Sequence, residues 1–320
     1  MMGEYVAFPG LGIEIPISRG FELFGTITIY WYGVMIALGF ALAVLYALRN
    51  YKRFDLKLDP VIDVVLVAAI IAIVCARLYY ILFSGRLSEY LANPISIFAI
   101  RDGGMAIYGA VIGAFTTGLW MCRLRKVNTL AMFDIASIGF FIGQGLGRWG
   151  NFFNQEAFGA NTTLPWGMTG SSIAMGQNGT GFDPGLPVHP TFLYESLWCL
   201  VGFVGLHILS KKAYKFKGQL FATYLMWYGL GRVIFEGLRT DSLMIGPFRV
   251  SQLLSALLIV AGVVLYYVLV RRAKQAALPI EEHLFSEPAD ETDVKAEEIT
   301  TLTLCDVDEE TEDTTNGENH

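Results

Sequence analysis

The sequence predicts an all-α integral membrane protein of seven transmembrane helices, with its N-terminus extracytoplasmic and its C-terminus cytoplasmic. Three observations carry that prediction. Hydrophobic residues make up 54% of the chain against 16% charged, and the mean hydropathy is +0.48, outside the range of a soluble domain. Apolar runs long enough to cross a bilayer, about 20 residues each, recur seven times, at 27–48, 61–83, 104–122, 130–150, 190–209, 219–238 and 250–270. Four clusters of basic residues fall on alternate connections: Arg49, Lys52, Arg53 and Lys57; Arg123, Arg125 and Lys126; Lys211, Lys212, Lys215 and Lys217; Arg271, Arg272 and Lys274. Cations retained on one side mark that side as cytoplasmic, and every lysine of the chain lies there.

This topology divides the chain. Residues 1–26 form an extracytoplasmic segment, residues 27–270 the membrane domain, and 160–188 a long extracytoplasmic loop rich in Gly, Asn, Ser, Thr and Pro, without Lys or Arg. The formal charge of -6 conceals two regions of opposite sign. Fifteen of the 29 acidic residues follow position 280, opposed there only by Lys295, which leaves the body at about +8. Segment 281–320 has too little apolar surface to fold and is read as a disordered acidic cytoplasmic tail. With Glu4 and no basic n-region before the first hydrophobic stretch, no cleaved signal peptide is expected. Cys75, Cys122, Cys199 and Cys305 have neither disulfide nor metal-site spacing. No metal, cofactor or nucleic-acid partner is expected.

Taken in order, span 1 begins with Tyr30, Trp31 and Tyr32, an aromatic belt at the outer interface. Spans 2 and 4 begin with Asp63 and Asp134, read as helix-start residues. Span 3 offers Gly109 and Gly113 for close helix packing, and span 4 repeats Gly139, Gly143 and Gly147 every four residues. Beside that glycine face, Gln144, Arg148, Asn151 and Gln155 form a polar stripe at helical spacing. Span 6 has a second stripe, Tyr228, Arg232, Glu236 and Arg239.

Arg77, Arg148, Arg232 and Arg239 lie outside the cytoplasmic clusters, and this topology gathers all four in the outer half of the membrane. An arginine at a span centre costs about 2.5–3.5 kcal/mol on insertion scales, so their concentration in one leaflet indicates a binding site for an anion. Asn151, Asn154 and Glu156 then satisfy the end of span 4, with Glu156 fixing Arg148 in place. His189, beside Pro190, is the one histidine near the outer face and marks a helix start. On these residues alone two rivals stay open, a transporter for an anionic solute and a lipid-binding scaffold; the gathering of polar groups toward one leaflet, without a repeat between spans, speaks against the transporter.

The segment GRWGNFFNQEAFG at 147–159 resembles the signature of the prolipoprotein diacylglyceryl transferases, and four further segments resemble that family in the same order. They are WYG at 31–33, DGGMAIYGAVIGA at 102–114, HPTFLYES at 189–196 and YGLGRVIFEGLRTD at 228–241. The resemblance covers residues 25–270 and leaves out the acidic tail. It implies a bacterial cell-membrane enzyme, active at the extracytoplasmic leaflet, that moves the diacylglyceryl group of phosphatidylglycerol to the lipobox cysteine of a prolipoprotein signal peptide, releasing glycerol phosphate. It further implies Arg148, Arg239, Tyr108 and Tyr32 as catalytic residues. Asn151, Asn154, Glu156, Arg232, Glu236, His189 and Gly104 are then the substrate-binding set. The chain departs from the family's usual pattern after the DGG turn, where many members have histidine and this chain has Tyr108. Two sources of the substrate thiolate therefore stay open: an arginine field that lowers the thiol pKa while Tyr108 orients substrate, or a base elsewhere.

Overall fold

The computed structural model describes residues 4–25, 27–99, 103–242 and 244–276, and the acidic segment 281–320 with Cys305 lies outside the described residues. Met1–Lys274 form one compact unit. The chain is mostly helical, and the long helices are α1 (Trp31–Asn50), α2 (Leu58–Phe83), α4 (Ile107–Leu124), α5 (Thr129–Asn154), α7 (Thr191–Lys212), α8 (Gln219–Glu236) and α9 (Val250–Ala276), with short α3 (Leu87–Ala92) and α6 (Ser171–Ala174) between. Six of the seven long helices, all but α8, are long and apolar enough to cross a membrane. The polar stripe explains the exception, since Arg232 and Glu236 both fall in the last turns of α8 and lower its hydropathy.

Small residues set the helix spacing. α5 packs against α1, α7 and α8, while α2 pairs with α4. Gly39 of α1 faces Gly143 so closely that an added Cβ would lie 3.1 Å from the Gly143 Cα, and Gly139 meets Ala43 one turn away. Gly147, the third member of that repeat, has open space beside it. Gly109 and Gly113 of α4 both lie against Cys75 of α2. Between α7 and α8, Trp198 and Trp227 stack at 4.4 Å, and each indole N–H donates to the other's backbone carbonyl at 3.1 Å. At the end of α5 far from Arg148, buried Asp134 accepts from the backbone N–H of Gly218 (2.6 Å) and Phe221 (2.8 Å) and from the Tyr214 hydroxyl (2.7 Å). Asp134 therefore caps α8, not its own helix as the sequence suggested. Asp63 instead pairs with Arg125 at 2.6 Å.

Two regions differ from the sequence reading. Residues 27–30, assigned to the first span, form strand β4 (Ile27–Tyr30), which pairs antiparallel with β3 (Gly20–Leu23). The run of β-branched residues Ile27, Thr28 and Ile29 favours a strand, and α1 starts only at Trp31. The 160–188 segment is also more ordered in its packing than a loop. Strand β1 (Tyr5–Phe8) pairs with β2 (Ile13–Pro16) on one edge and with β5 (Thr169–Gly170) on the other. Val6, Phe158, Met168, Ile173 and Val188 close a second apolar core there. A β-hairpin of β6 (Met244–Ile245) and β7 (Phe248–Arg249) leads into α9.

Candidate active site

Three helix ends meet where that second core joins the bundle. α5 arrives with Arg148, Asn151 and Asn154 in its last turns, α7 leaves with Glu195 near its start, and α8 arrives with Arg232 and Glu236. Helix C-termini carry partial negative charge, so the ends of α5 and α8 favour the cations placed on them. Gln155 ends α5 in a left-handed conformation (φ 50°), and its side-chain oxygen accepts from the Ser172 backbone N–H at 2.8 Å. That bond ties the end of the helix to the second core.

The buried carboxylate of Glu195 is the centre of the site. Its Oε2 lies 2.6 Å from Arg148 Nη2 and 3.4 Å from Arg232 Nη1, and its Oε1 lies 3.8 Å from Arg239 Nη1. Arg232 also pairs with Glu236 at 2.6 Å, and Arg239 makes two bonds to Asp241, at 2.9 and 2.7 Å. Arg249 donates to the backbone carbonyl of Glu236. Burial works against the charge of Arg239, but the hydrogen bond and charge of Asp241, with Glu195 and Glu236, outweigh it and raise its pKa further. Among the described residues, Arg148 has one ionic partner, Glu195.

A cavity of about 390 Å³ opens beside this cluster, lined by Asn151, Glu156, Ala157, Asn178, Arg239 and Asp241. Glu156 accepts from Asn151 at 3.0 Å and from Asn154 at 3.3 Å. The sequence reading paired Glu156 with Arg148; the structure instead gives Arg148 to Glu195 and leaves Glu156 to the two asparagines. Tyr32 joins the group because Gly150 lacks a side chain, so the Tyr32 ring packs directly on the α5 backbone there. It lies within electrostatic range of Glu156, Arg148 and Arg239.

Other expected residues stand apart. Arg77 does not join the three arginines; it donates to the backbone carbonyls of Ser96, Ile97, Gly103 and Gly104 at 2.8–2.9 Å. Gly104 takes a left-handed conformation (φ 75°) against the Arg77 guanidinium and lines a separate cavity of about 320 Å³ with it. Tyr108 is 42% exposed at the start of α4, with Tyr79 as its ring neighbour, and no described hydrogen bond or ion pair joins it to the arginines. His189 Nδ1 lies 3.2 Å from the Tyr194 hydroxyl, its backbone pairs with Gly159 and Ala160, and α7 begins two residues later, as a helix-start role requires. Burial pushes the His189 imidazole below its ordinary pKa.

Glu195 is the residue that sequence reasoning missed. Its signal was present, a single carboxylate inside an otherwise apolar span within HPTFLYES, and an acid so placed needs a partner. The assembled site is a focus of planar guanidiniums at one end of the bundle, suited to bidentate contact with the oxygens of a phosphate.

Comparison with known proteins agrees with this chemistry. The family model for "Prolipoprotein diacylglyceryl transferase" matches residues 19–268. The chain is 45% identical over 251 residues to the phosphatidylglycerol--prolipoprotein diacylglyceryl transferase of Limosilactobacillus reuteri (strain DSM 20016), covering 78% of this chain and 90% of that one. It is 42% identical over 264 residues to the protein of that name from Bacillus cereus (strain G9842), covering 82% and 95%, and 40% identical over 254 residues to that of Clostridioides difficile (strain 630), covering 79% and 96%. Together with a site in which Arg148, Arg232 and Arg239 share one carboxylate, these matches place the chain in the prolipoprotein diacylglyceryl transferase family.

Proposed function

We propose that the Arg148, Arg232 and Arg239 cluster holds the phosphate of phosphatidylglycerol while the enzyme performs the transfer for which its family is named. The diacylglyceryl group passes to the cysteine thiol of a prolipoprotein, the first step of lipoprotein maturation. The observation that carries the site assignment is the convergence of three guanidiniums on Glu195 beside a cavity lined by Asn151, Glu156 and Arg239.

The thiol loses its proton, and sulfur attacks the glycerol carbon that bears the phosphate oxygen. The carbon–sulfur bond forms as the carbon–oxygen bond breaks, and the electron pair leaves on oxygen as glycerol phosphate. Charge therefore builds on the phosphate in the transition state, where fixed guanidiniums stabilise it most. Arg148 and Arg239 fill this role, Arg232 completes the phosphate site with Glu236 fixing its geometry, and Asn151, Asn154 and Glu156 orient the glycerol headgroup. Tyr32 closes the site over Gly150. Tyr108 orients the lipobox peptide, and the arginine field favours its thiolate. Gly104 and His189 act as supports for the Arg77 turn and for the start of α7.

α8 is the sixth of seven spans in this reading, its polar stripe turned to α5 and α7 instead of lipid. The N-terminus and the second apolar core then lie outside the bacterial cell membrane, the basic connections lie in the cytoplasm, and the site opens to the outer leaflet. What supports this orientation is the placement of every lysine on one side. The test is whether purified protein in detergent consumes phosphatidylglycerol only when a lipobox peptide with a free cysteine is supplied. Consumption without the peptide contradicts the assignment.

A further inference from the structure

We propose that Glu195 is a positioning residue that competes with the substrate phosphate for Arg148 and hands that arginine over as phosphatidylglycerol binds. The inference rests on the reading that Arg148 contacts the phosphate. It starts from an asymmetry in the ion pairs. Arg232 and Arg239 each have a second carboxylate, Glu236 and Asp241, whereas Glu195 is the one ionic partner of Arg148 among the described residues. Arg148 also has the most exposed side chain of the three, 23% against 17% and 12%.

A carboxylate held by three guanidiniums can release one and keep two. Glu195 therefore does not become an unpaired buried charge when Arg148 leaves it, which is the usual cost of breaking such a pair. Arg148 is likewise never unpaired if the phosphate oxygens arrive as the carboxylate oxygen departs. Glu195 has a fixed place to wait, since α7 is locked to α8 through the Trp198 and Trp227 stack one turn further on. The exchange reverses when glycerol phosphate leaves: Glu195 reclaims Arg148 and helps to expel a product more negatively charged than the substrate. Glu195 thus weakens binding of both ligands and speeds release.

The two roles open to Glu195 give opposite results. If it only braces the arginines, Glu195→Gln raises the KM for phosphatidylglycerol. If it competes with phosphate, Glu195→Gln lowers that KM and the inhibition constant for glycerol phosphate by about threefold to tenfold each, while kcat falls because product is retained. The experiment uses the full-length enzyme in nanodiscs containing phosphatidylglycerol, with a lipobox peptide and added glycerol phosphate. Glu195→Asp keeps the charge but ends one methylene short of Arg148, so it shifts both constants in the same direction by less, and it serves if Glu195→Gln fails to accumulate. A KM and inhibition constant that stay unchanged or rise in an accumulating variant overturn the proposal. Arg148→Ala separates this failure from that of the underlying reading. If Arg148→Ala still binds phosphatidylglycerol, the site assignment is wrong. If it loses the lipid while Glu195→Gln tightens nothing, only the exchange is wrong.

Discussion

Arg77 and Arg148 look alike in the sequence and do different work. Each lies in a long apolar helix, six residues before its last residue, Phe83 in one case and Asn154 in the other. Arg77 donates to four backbone carbonyls, two of them from Gly103 and Gly104 in left-handed turns. Arg148 faces one carboxylate from another helix, that of Glu195, which Arg232 and Arg239 also approach. A guanidinium committed to backbone carbonyls is a staple, because those acceptors have nowhere else to go. A guanidinium paired with a single side-chain anion can change partners. What an intramembrane arginine does is set by the acceptors around it, and these come from distant parts of the chain.

The largest expected effect breaks this comparison on the Arg148 side. Arg148→Ala lowers kcat/KM by about a thousandfold or more, on the order of 4 kcal/mol of transition-state stabilisation, while the protein still inserts and accumulates. Arg148→Lys rescues little, since a point charge does not replace a planar pair of donors. Retention of more than about a tenth of wild-type turnover by Arg148→Ala, a loss under ~1.4 kcal/mol, removes Arg148 as a principal phosphate ligand.

Arg77→Ala has the opposite signature. It strands four backbone carbonyls and lowers thermal stability by on the order of 3 kcal/mol, with reduced accumulation, while the folded fraction keeps its KM for phosphatidylglycerol. A stable Arg77→Ala protein with a raised KM places Arg77 back among the phosphate ligands.

Tyr108→Phe sharpens the comparison from a third position. If the arginine field supplies the thiolate, the variant stays within about tenfold of wild type, and its rate rises with pH as the substrate thiol, pKa ~8.5, ionises. Inactivity as complete as that of Arg148→Ala, with lipid binding intact, puts the hydroxyl into the chemistry. The smallest effect belongs to the tail: truncation after residue 280 leaves turnover within about twofold of wild type, because the proposed topology puts the segment across the membrane from the reaction. Loss of turnover in a folded truncation contradicts the proposed topology.

The parts that were legible depended on local spacing. Apolar runs marked the helices, Gly139 and Gly143 marked the face that α1 approaches, and the two polar stripes marked the walls of the site. The parts that were not legible depended on partners far apart in the chain. Glu195 became visible only when α7 was packed against α5 and α8, and the retention of Arg77 only when Ser96, Ile97, Gly103 and Gly104 were brought back to α2. The strand pairing of Val6 with Gly170 joins positions about half the chain apart, so no local pattern announced it. Glu156 was assigned to Arg148 because the two are close along the chain, yet the helix end turns Glu156 toward Asn151 and Asn154 instead.

The central claim is that Arg148, Arg232 and Arg239 select the outer-leaflet lipid by its phosphate headgroup. The most direct measurement is the phospholipid retained by wild type and by Arg148→Ala, each purified from the same membranes and analysed by native mass spectrometry. The account predicts that wild type retains phosphatidylglycerol and that Arg148→Ala retains at least about tenfold less of it, with annular lipids unchanged. Equal retention of phosphatidylglycerol by both proteins contradicts it.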